Sequence, residues 1–438
     1  MVSGLSNSNY TIAYDNIGTL IITAAPTTSK VTVAPSTQQY SDRVTFTATL
    51  SPDSIIGQVP ATTVTFKVGT QVMGSVSLTA SGGVLTGTLA NVALLEPTPF
   101  GTAPTGQMVP GALTVYAVFG GKNANCSVTD PTTPLTINPE DARACYAGAL
   151  YASTANSTST MATVTLSATI LDISNSALTA DPAYDAYPGD IRNATVTFVI
   201  RNPYPSPDTV IASNVPIGLV NANDTTTATA TYNWNVNVSC PSSPCAQTFT
   251  VGIIVGNYYT RNSSMDDTVI TVAQPGTNFI TGGGFLMMVS SNGLYPGQYG
   301  TKNNWGFNVK YNKQGTNLQG NINTIIRNNG RVYQIKGNSM TSLAVAPNPC
   351  PTTNTSIAPC GATFNGKASI QDITDPLNPI SIDGNATLQV NMTDYGQPAS
   401  DSIAITVWNK SGGVWFSSNW NGTTTVQQTL NGGNLSAH

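Results

Sequence analysis

Alternation with a period of two runs through this chain almost from end to end, and no long segment carries a period near 3.6. Val44 to Leu50 reads VTFTATL, Val64 to Val68 VTFKV, Val164 to Ile170 VTLSATI and Val196 to Ile200 VTFVI. Each places apolar side chains on one face of an extended strand and polar ones on the other. In the run from Asn304 to Asn321, Trp305, Phe307, Val309 and Tyr311 share one face, while Gly306, Asn308 and Lys310 share the other. Similar runs at Val332 to Lys336, Ala368 to Ile373, Ala386 to Met392 and Ile403 to Trp408 are separated by Gly, Pro and Asn, the residues of tight turns. The pattern predicts an all-β protein.

Composition agrees and removes several functions. Only 8% of the 438 residues are charged, yet the mean hydropathy is a neutral -0.02, so Thr, Ser, Asn and Gly supply the polarity. The length suggests about three domains. With 16 Lys and Arg in all and a net charge of -4, there is no basic stripe to neutralise phosphates, which argues against a nucleic-acid partner. No apolar run approaches the roughly 20 residues of a membrane-spanning helix. Met1 to Tyr10 lacks the charged and apolar regions of a signal peptide, so export would require a signal upstream of these residues.

The runs recur in order. LTVYAVFGG at Leu113 to Gly121 has a counterpart in FTVGIIVGN at Phe249 to Asn257, each just ahead of a closing strand, PLTINPED from Pro134 and TVITVAQPG from Thr268. Two copies of one sandwich are predicted, 27–139 and 140–274, the second enlarged by insertions at 175–191 and 202–227. A third closing strand, TLIITAAP at Thr19 to Pro26, has no sandwich before it. Residues 1–26 therefore form an orphan segment whose alternating Ile12, Tyr14, Leu20 and Ile22 suit a strand donated to another molecule's sheet. Residues 275–438 form a fourth segment, an antiparallel β domain in the position of a cap.

The first copy, from Lys30 through VTFTATL, TTVTFKVGTQVMGSVSL and LTVYAVFGG, resembles the bacterial immunoglobulin-like repeats of large secreted and cell-surface proteins; the second copy does so more loosely. The N-terminal YTIAYDNIGTLIITAAP resembles the last strands of the Gly-rich all-β repeats that often precede them. NWGFNVKYNKQGTNLQG resembles a β-rich module near the C-termini of exported bacterial proteins. The resemblance implies tandem immunoglobulin-like sandwiches in a rod, serving as a spacer or adhesive stalk rather than a catalyst.

The six cysteines fit export. Cys240 and Cys245 in CPSSPC, and Cys350 and Cys360 in CPTTNTSIAPC, sit in Pro-containing loops between strands, where a hairpin brings the flanks within disulfide reach. Cys126 and Cys145 remain and by elimination would clamp the first sandwich to the second. All three bridges need an oxidising compartment.

Catalysis finds little material. The single histidine is His438 and the only glutamates are Glu96 and Glu140, so a Ser-His-Asp arrangement lacks a base and a paired-carboxylate hydrolase is poorly supplied. Calcium is the one cofactor with candidate ligands: Asp181, Asp185 and Asp190 in DPAYDAYPGD, and Glu140 with Asp141 at the joint between copies; Asp beside Pro and Gly is also an ordinary turn former. Trp415, Phe416 and Trp420 could stack on sugars or belong to a core. The Asn-x-Ser/Thr sequons at Asn193, Asn223, Asn237, Asn385 and Asn421 permit N-glycosylation.

Three functions follow from the sequence. The first, which the orphan segment favours, is an extracellular surface filament whose subunits bind copies of themselves by strand donation; the other two are alternatives to it. A second is a monomeric adhesin stalk that meets surface glycans or a host cell. The third is an accessory module of a secreted enzyme.

Overall fold

The computed structural model describes residues 10–14, 20–55, 58–97, 99, 108–121, 126–149, 151–156, 158–202, 206–238, 246–274, 279–312, 315–347, 350, 359–375, 378–396 and 400–437. These fold as strands and three short 3-10 turns, so the all-β expectation holds. The chain divides into two compact units, 1–140 with 186–189, and 141–185 with 190–438.

The first unit begins with β1 (Tyr10–Tyr14) and β2 (Leu20–Pro26). They pair antiparallel, with Ile12 opposite Ile22 and Tyr14 opposite Leu20. The expected donor segment is thus a hairpin within the chain, its two strands paired with each other.

Next come β3 (Thr28–Ala34), β4 (Thr37–Gln39), β5 (Arg43–Ser51), β6 (Thr63–Val68) and β7 (Gln71–Ser77). Then follow β8 (Thr79–Ser81), β9 (Val84–Ala93), β10 (Gly111–Gly120), β11 (Cys126–Ser127) and β12 (Thr132–Asn138). One sheet has the order β3-β5-β9-β8 and the other β4-β12-β10-β6-β7, with β4 parallel to β12. This is the strand order of an immunoglobulin-like sandwich. Along β5 burial alternates strictly, Val44, Phe46, Ala48 and Leu50 inward and Thr45, Thr47 and Thr49 outward, and Phe46 stacks on Phe66 of the facing sheet at 5.6 Å. β11 adds to β2 in parallel outside the sandwich.

The second unit repeats the order. Its first strands are β13 (Glu140–Tyr146), β14 (Tyr151–Ser153), β15 (Met161–Asp172), β16 (Ala194–Ile200) and β17 (Thr209–Val215). They are followed by β18 (Ile217–Leu219), β19 (Thr227–Asn237), β20 (Ala246–Asn257), β21 (Tyr259–Asn262) and β22 (Thr268–Ala273). β13-β15-β19-β18 correspond to β3-β5-β9-β8, and β14-β22-β20-β16-β17 to β4-β12-β10-β6-β7, the short β21 linking both ladders into one sheet. Even the parallel pairing recurs, between β14 and β22.

The remaining strands are β23 (Phe279–Met287), β24 (Lys302–Tyr311), β25 (Leu318–Asn328), β26 (Arg331–Ala346) and β27 (Cys360–Asp372), then β28 (Ile380–Asp394), β29 (Ser402–Trp408), β30 (Val414–Ser417), β31 (Gln428–Thr429) and β32 (Gly432–Ala437). From β23 to β30 they form an antiparallel meander in chain order. The last segment closes it: β31 pairs with β29 and β32 with β23, so a barrel-like sheet encloses one apolar cluster that includes Phe307, Ile335, Phe364, Val390 and Ile405. β32 covers the β23 edge and β31 the free start of β29, so neither is left as the open edge that a half-buried antiparallel sheet otherwise exposes.

Two aspartates hold the closing strand. Asp401, buried, accepts from the Tyr395 amide at 3.0 Å and from the Leu435 amide at 2.8 Å, and Asp394 accepts from the Ala437 amide at 3.0 Å. Asp401→Ala strands two amides in the seam, and each buried donor left without a partner costs about 1–3 kcal/mol. The variant is expected to lose on the order of 2–4 kcal/mol in urea denaturation, with the closing strand losing hydrogen-exchange protection first. Unchanged stability would show that the carboxylate does not secure the seam.

Candidate functional site

β15 differs from its counterpart in one respect that organises the second unit. Its sequence repeats β5, but Thr165, Ser167 and Thr169 on its outer face are as buried as the apolar residues between them. The C-terminal domain covers that face. Ser153 Oγ and the Tyr311 hydroxyl lie 2.5 Å apart, Tyr311 also donates to the Thr154 carbonyl at 3.1 Å, and Ser153 Oγ accepts from the Leu343 amide at 3.2 Å. Thr169 donates to the Thr423 carbonyl and Thr229 to the Gly412 carbonyl. Burial pushes the Tyr311 hydroxyl up to about 12, so it stays protonated and able to donate at neutral pH. Where β18 meets the β29–β30 turn, a Cβ on Gly218 would collide with the Gly413 backbone, so the two backbones approach as only glycine permits.

At one side of this joint, among the described residues, lies a cleft of about 590 Å³ whose walls come from both domains: Tyr146 and Thr268 on one side, Thr363, Asn391, Thr393, Thr424 and Gln427 on the other. No charged side chain lines it. Thr363 donates to Asn391 Oδ1 at 2.8 Å, Ser402 donates to Gln427 Oε1, and the Tyr146 hydroxyl donates to the Ala149 carbonyl at 2.9 Å. Desolvation raises the Tyr146 hydroxyl well above the usual phenol range.

The residues singled out from the sequence are distributed as follows. Cys350 and Cys360 form a disulfide with Cα atoms 5.6 Å apart. Cys240 and Cys245 lie outside the described residues. Cys145 is a free thiol, so the expected Cys126–Cys145 clamp is not formed; Cys145 sits within β13, paired opposite Thr169 of β15, and burial followed by the nearby Asp266 pushes its thiol up.

The proposed calcium carboxylates are not gathered. Arg143 holds Asp181 and Arg192 holds Asp190, and the Arg143 hydrogen bond lowers the Asp181 carboxyl below its usual value. Glu140, buried, accepts from Ser41 at 3.3 Å, and Asp141 begins the second unit. Asp185 closes the first stretch of that unit, ahead of 186–189. Among the described residues no three His, Cys, Asp or Glu side chains are arranged to hold a metal ion.

The C-terminal aromatics divide. Phe416 belongs to the barrel core, and Trp420 packs with Val220, Trp408 and Val414 in the joint. Trp415 is half-buried, lies 5.0 Å from the Tyr295 ring and donates through Nε1 to Asp383 at 2.8 Å. Of the five sequons, Asn223, Asn237, Asn385 and Asn421 are exposed. Asn193 is wholly buried at the end of a 3-10 turn, which corrects its place as an acceptor, since a glycan there would have to displace the packing around it.

No family model matches the chain, and no curated protein matches it. Among solved structures it is similar to the Yersinia pseudotuberculosis adhesin InvE, at 16% identity and a TM-score of 0.27, covering 57% of this chain and 59% of that one. It is similar to invasin, a bacterial integrin-binding protein, at 10% identity and a TM-score of 0.28, covering 92% and 78%. A third similarity is to FdeC, an Escherichia coli adhesin, at 9% identity and a TM-score of 0.22, covering 90% and 97%. Each likeness is at a level that carries no inference about fold, partner or activity.

Tyr311→Phe removes one hydroxyl from the joint and leaves the ring in place. It is expected to destabilise the second unit by about 1–2 kcal/mol in urea denaturation, and Ser153→Ala combined with it to add less than its separate effect, because the two share one bond. Strict additivity would show that the bond does not couple the domains.

Proposed function

We propose that this chain is a non-catalytic exported structural protein, a monomeric stalk that holds a binding surface away from its cell. The observation that carries the reading is the recurrence of one nine-strand order in two successive sandwiches. Each copy buries its own core, which is the organisation of spacer modules. The four segments 1–26, 27–139, 140–274 and 275–438 are the proposed modules. The Cys350–Cys360 disulfide supports an oxidising, extracellular setting, and the scarcity of histidine and glutamate supports the absence of catalysis.

A filament built by strand addition is the second reading. β1 and β2 are already paired with each other, but β1 lies at the edge of its three-stranded sheet, and an exposed strand edge is a template for another chain. The two readings part on one deletion. Removing residues 1–26 is expected to leave a folded monomer of unchanged oligomeric state by light scattering. If the intact protein forms filaments in negative stain and the deletion abolishes them, the stalk is wrong and the filament is right.

A further inference from the structure

We infer that the cleft beside the β15 joint binds a neutral, polyhydroxylated ligand, a short uncharged oligosaccharide. The inference stands on the cleft alone and does not rest on the stalk reading. At about 590 Å³ the cleft falls within the range of small-ligand sites, and its walls come from two domains, a common place for such sites.

The lining selects the ligand class. A charged ligand would give up its hydration and meet no opposite charge, since none of the lining side chains is ionised. The lining is mixed, with Ala147, Ala344, Ala346, Ala362 and Met392 beside the hydroxyls and amides, so a wholly apolar ligand would leave the polar groups without water or partner, whereas a sugar offers apolar C–H faces as well as hydroxyls. A molecule that is itself uncharged, and carries donors and acceptors at close intervals, suffers neither loss.

The open valences are of both kinds. Asn391 Nδ2 and Gln427 Nε2 are donors left over once their oxygens have accepted from Thr363 and Ser402. The Thr393 and Thr424 hydroxyls can donate or accept. Tyr146, whose proton goes to the Ala149 carbonyl, presents an acceptor. The same barrel face continues inward to Asn365 and Gln389, directly opposite each other on β27 and β28. Both are fully buried, and Asn365 Oδ1 and Gln389 Oε1 have no hydrogen-bond partner. Neither side chain lines the cleft, and buried water, rather than the ligand, is the partner such acceptors take.

The test is titration calorimetry on the full chain with three neutral hexasaccharides, the maltose, cellulose and mannan series, and one anionic control, hexagalacturonate. At least one neutral probe is expected to bind with a Kd below about 1 mM, with an affinity unchanged up to about 0.5 M NaCl. Asn391→Ala and Gln427→Ala should each weaken it by about tenfold while the melting temperature holds, and the exposed Asn385→Ala should leave it unchanged. Thr424→Ala serves as a second cleft variant if either amide substitution disturbs folding. Failure of every neutral probe to bind, binding indifferent to the cleft variants, or preferential salt-sensitive binding of hexagalacturonate would each overturn the inference.

Discussion

The second unit depends on a sheet face that would ordinarily be wet. An antiparallel sheet needs only one face in a core and can present the other to solvent, as β5 does with its outward threonines. On β15 the equivalent residues are sealed beneath a second domain. Hydroxyls that lose water must find partners in the protein or raise the free energy of the fold. On β15, Thr169 bonds across the joint to the Thr423 carbonyl, while Thr165 donates to Asn233 and Ser167 pairs with Thr231 on the neighbouring β19; around them Ser153 with Tyr311, Tyr311 with Thr154 and Thr229 with the Gly412 carbonyl make the remaining bonds. The joint is small in its parts, but it converts a sandwich and a barrel into one compact unit.

The barrel solves a related problem by closure. Its meander would leave β23 and the first residues of β29, ahead of the β29–β30 pairing, without partners, and a single segment covers both, with β31 on Ser402 and Ile403 and β32 on β23. The switch between partners happens within two residues: the Leu430 amide bonds back to the Asp401 carbonyl at 2.9 Å and the Asn431 amide to the Phe285 carbonyl at 3.2 Å. Asn431 Oδ1 accepts from the Met287 amide at 2.7 Å as Gly432 and Gly433 begin β32. Gly433, at a φ of 110°, is where the chain needs a conformation that a Cβ would oppose.

The sandwiches were legible because their pleats are. VTFTATL and VTLSATI declare a strand and its inward face, and the recurrence of LTVYAVFGG as FTVGIIVGN declares the repeat. The face that matters most for the site was not legible. VTLSATI looks the same whether Thr165, Ser167 and Thr169 meet water or another domain, because a hydroxyl suits both. For the same reason Ser153 and Tyr311 carry no signal of their own, one lying in a three-residue strand and the other sharing its strand face with Trp305, Phe307 and Val309. Nothing in the residues around Trp415 says which ring enters a core and which a joint; the fold puts Phe416 in the barrel core and Trp420 in the joint. Cys126 and Cys145 were matched by elimination, which assumes that every cysteine is paired, and Cys145 is not.

Low charge is what makes the joint and the cleft compatible. A buried ion must be paired closely or it costs several kcal/mol, so an interface of Lys, Arg, Asp and Glu fixes its partners one to one. Among the described residues of the second unit, the ion pairs of Arg143 with Asp181, Arg192 with Asp190, Arg201 with Asp208 and Asp267, Arg261 with Asp266 and Arg331 with Asp372 each lie within one domain. Hydroxyls and amides bear burial at about 1–3 kcal/mol when unpaired, and each can donate and accept. A surface built from them can therefore be closed in one region by another domain and left open a few residues away, as the face carrying Thr363 and Asn391 is, without any change in residue type.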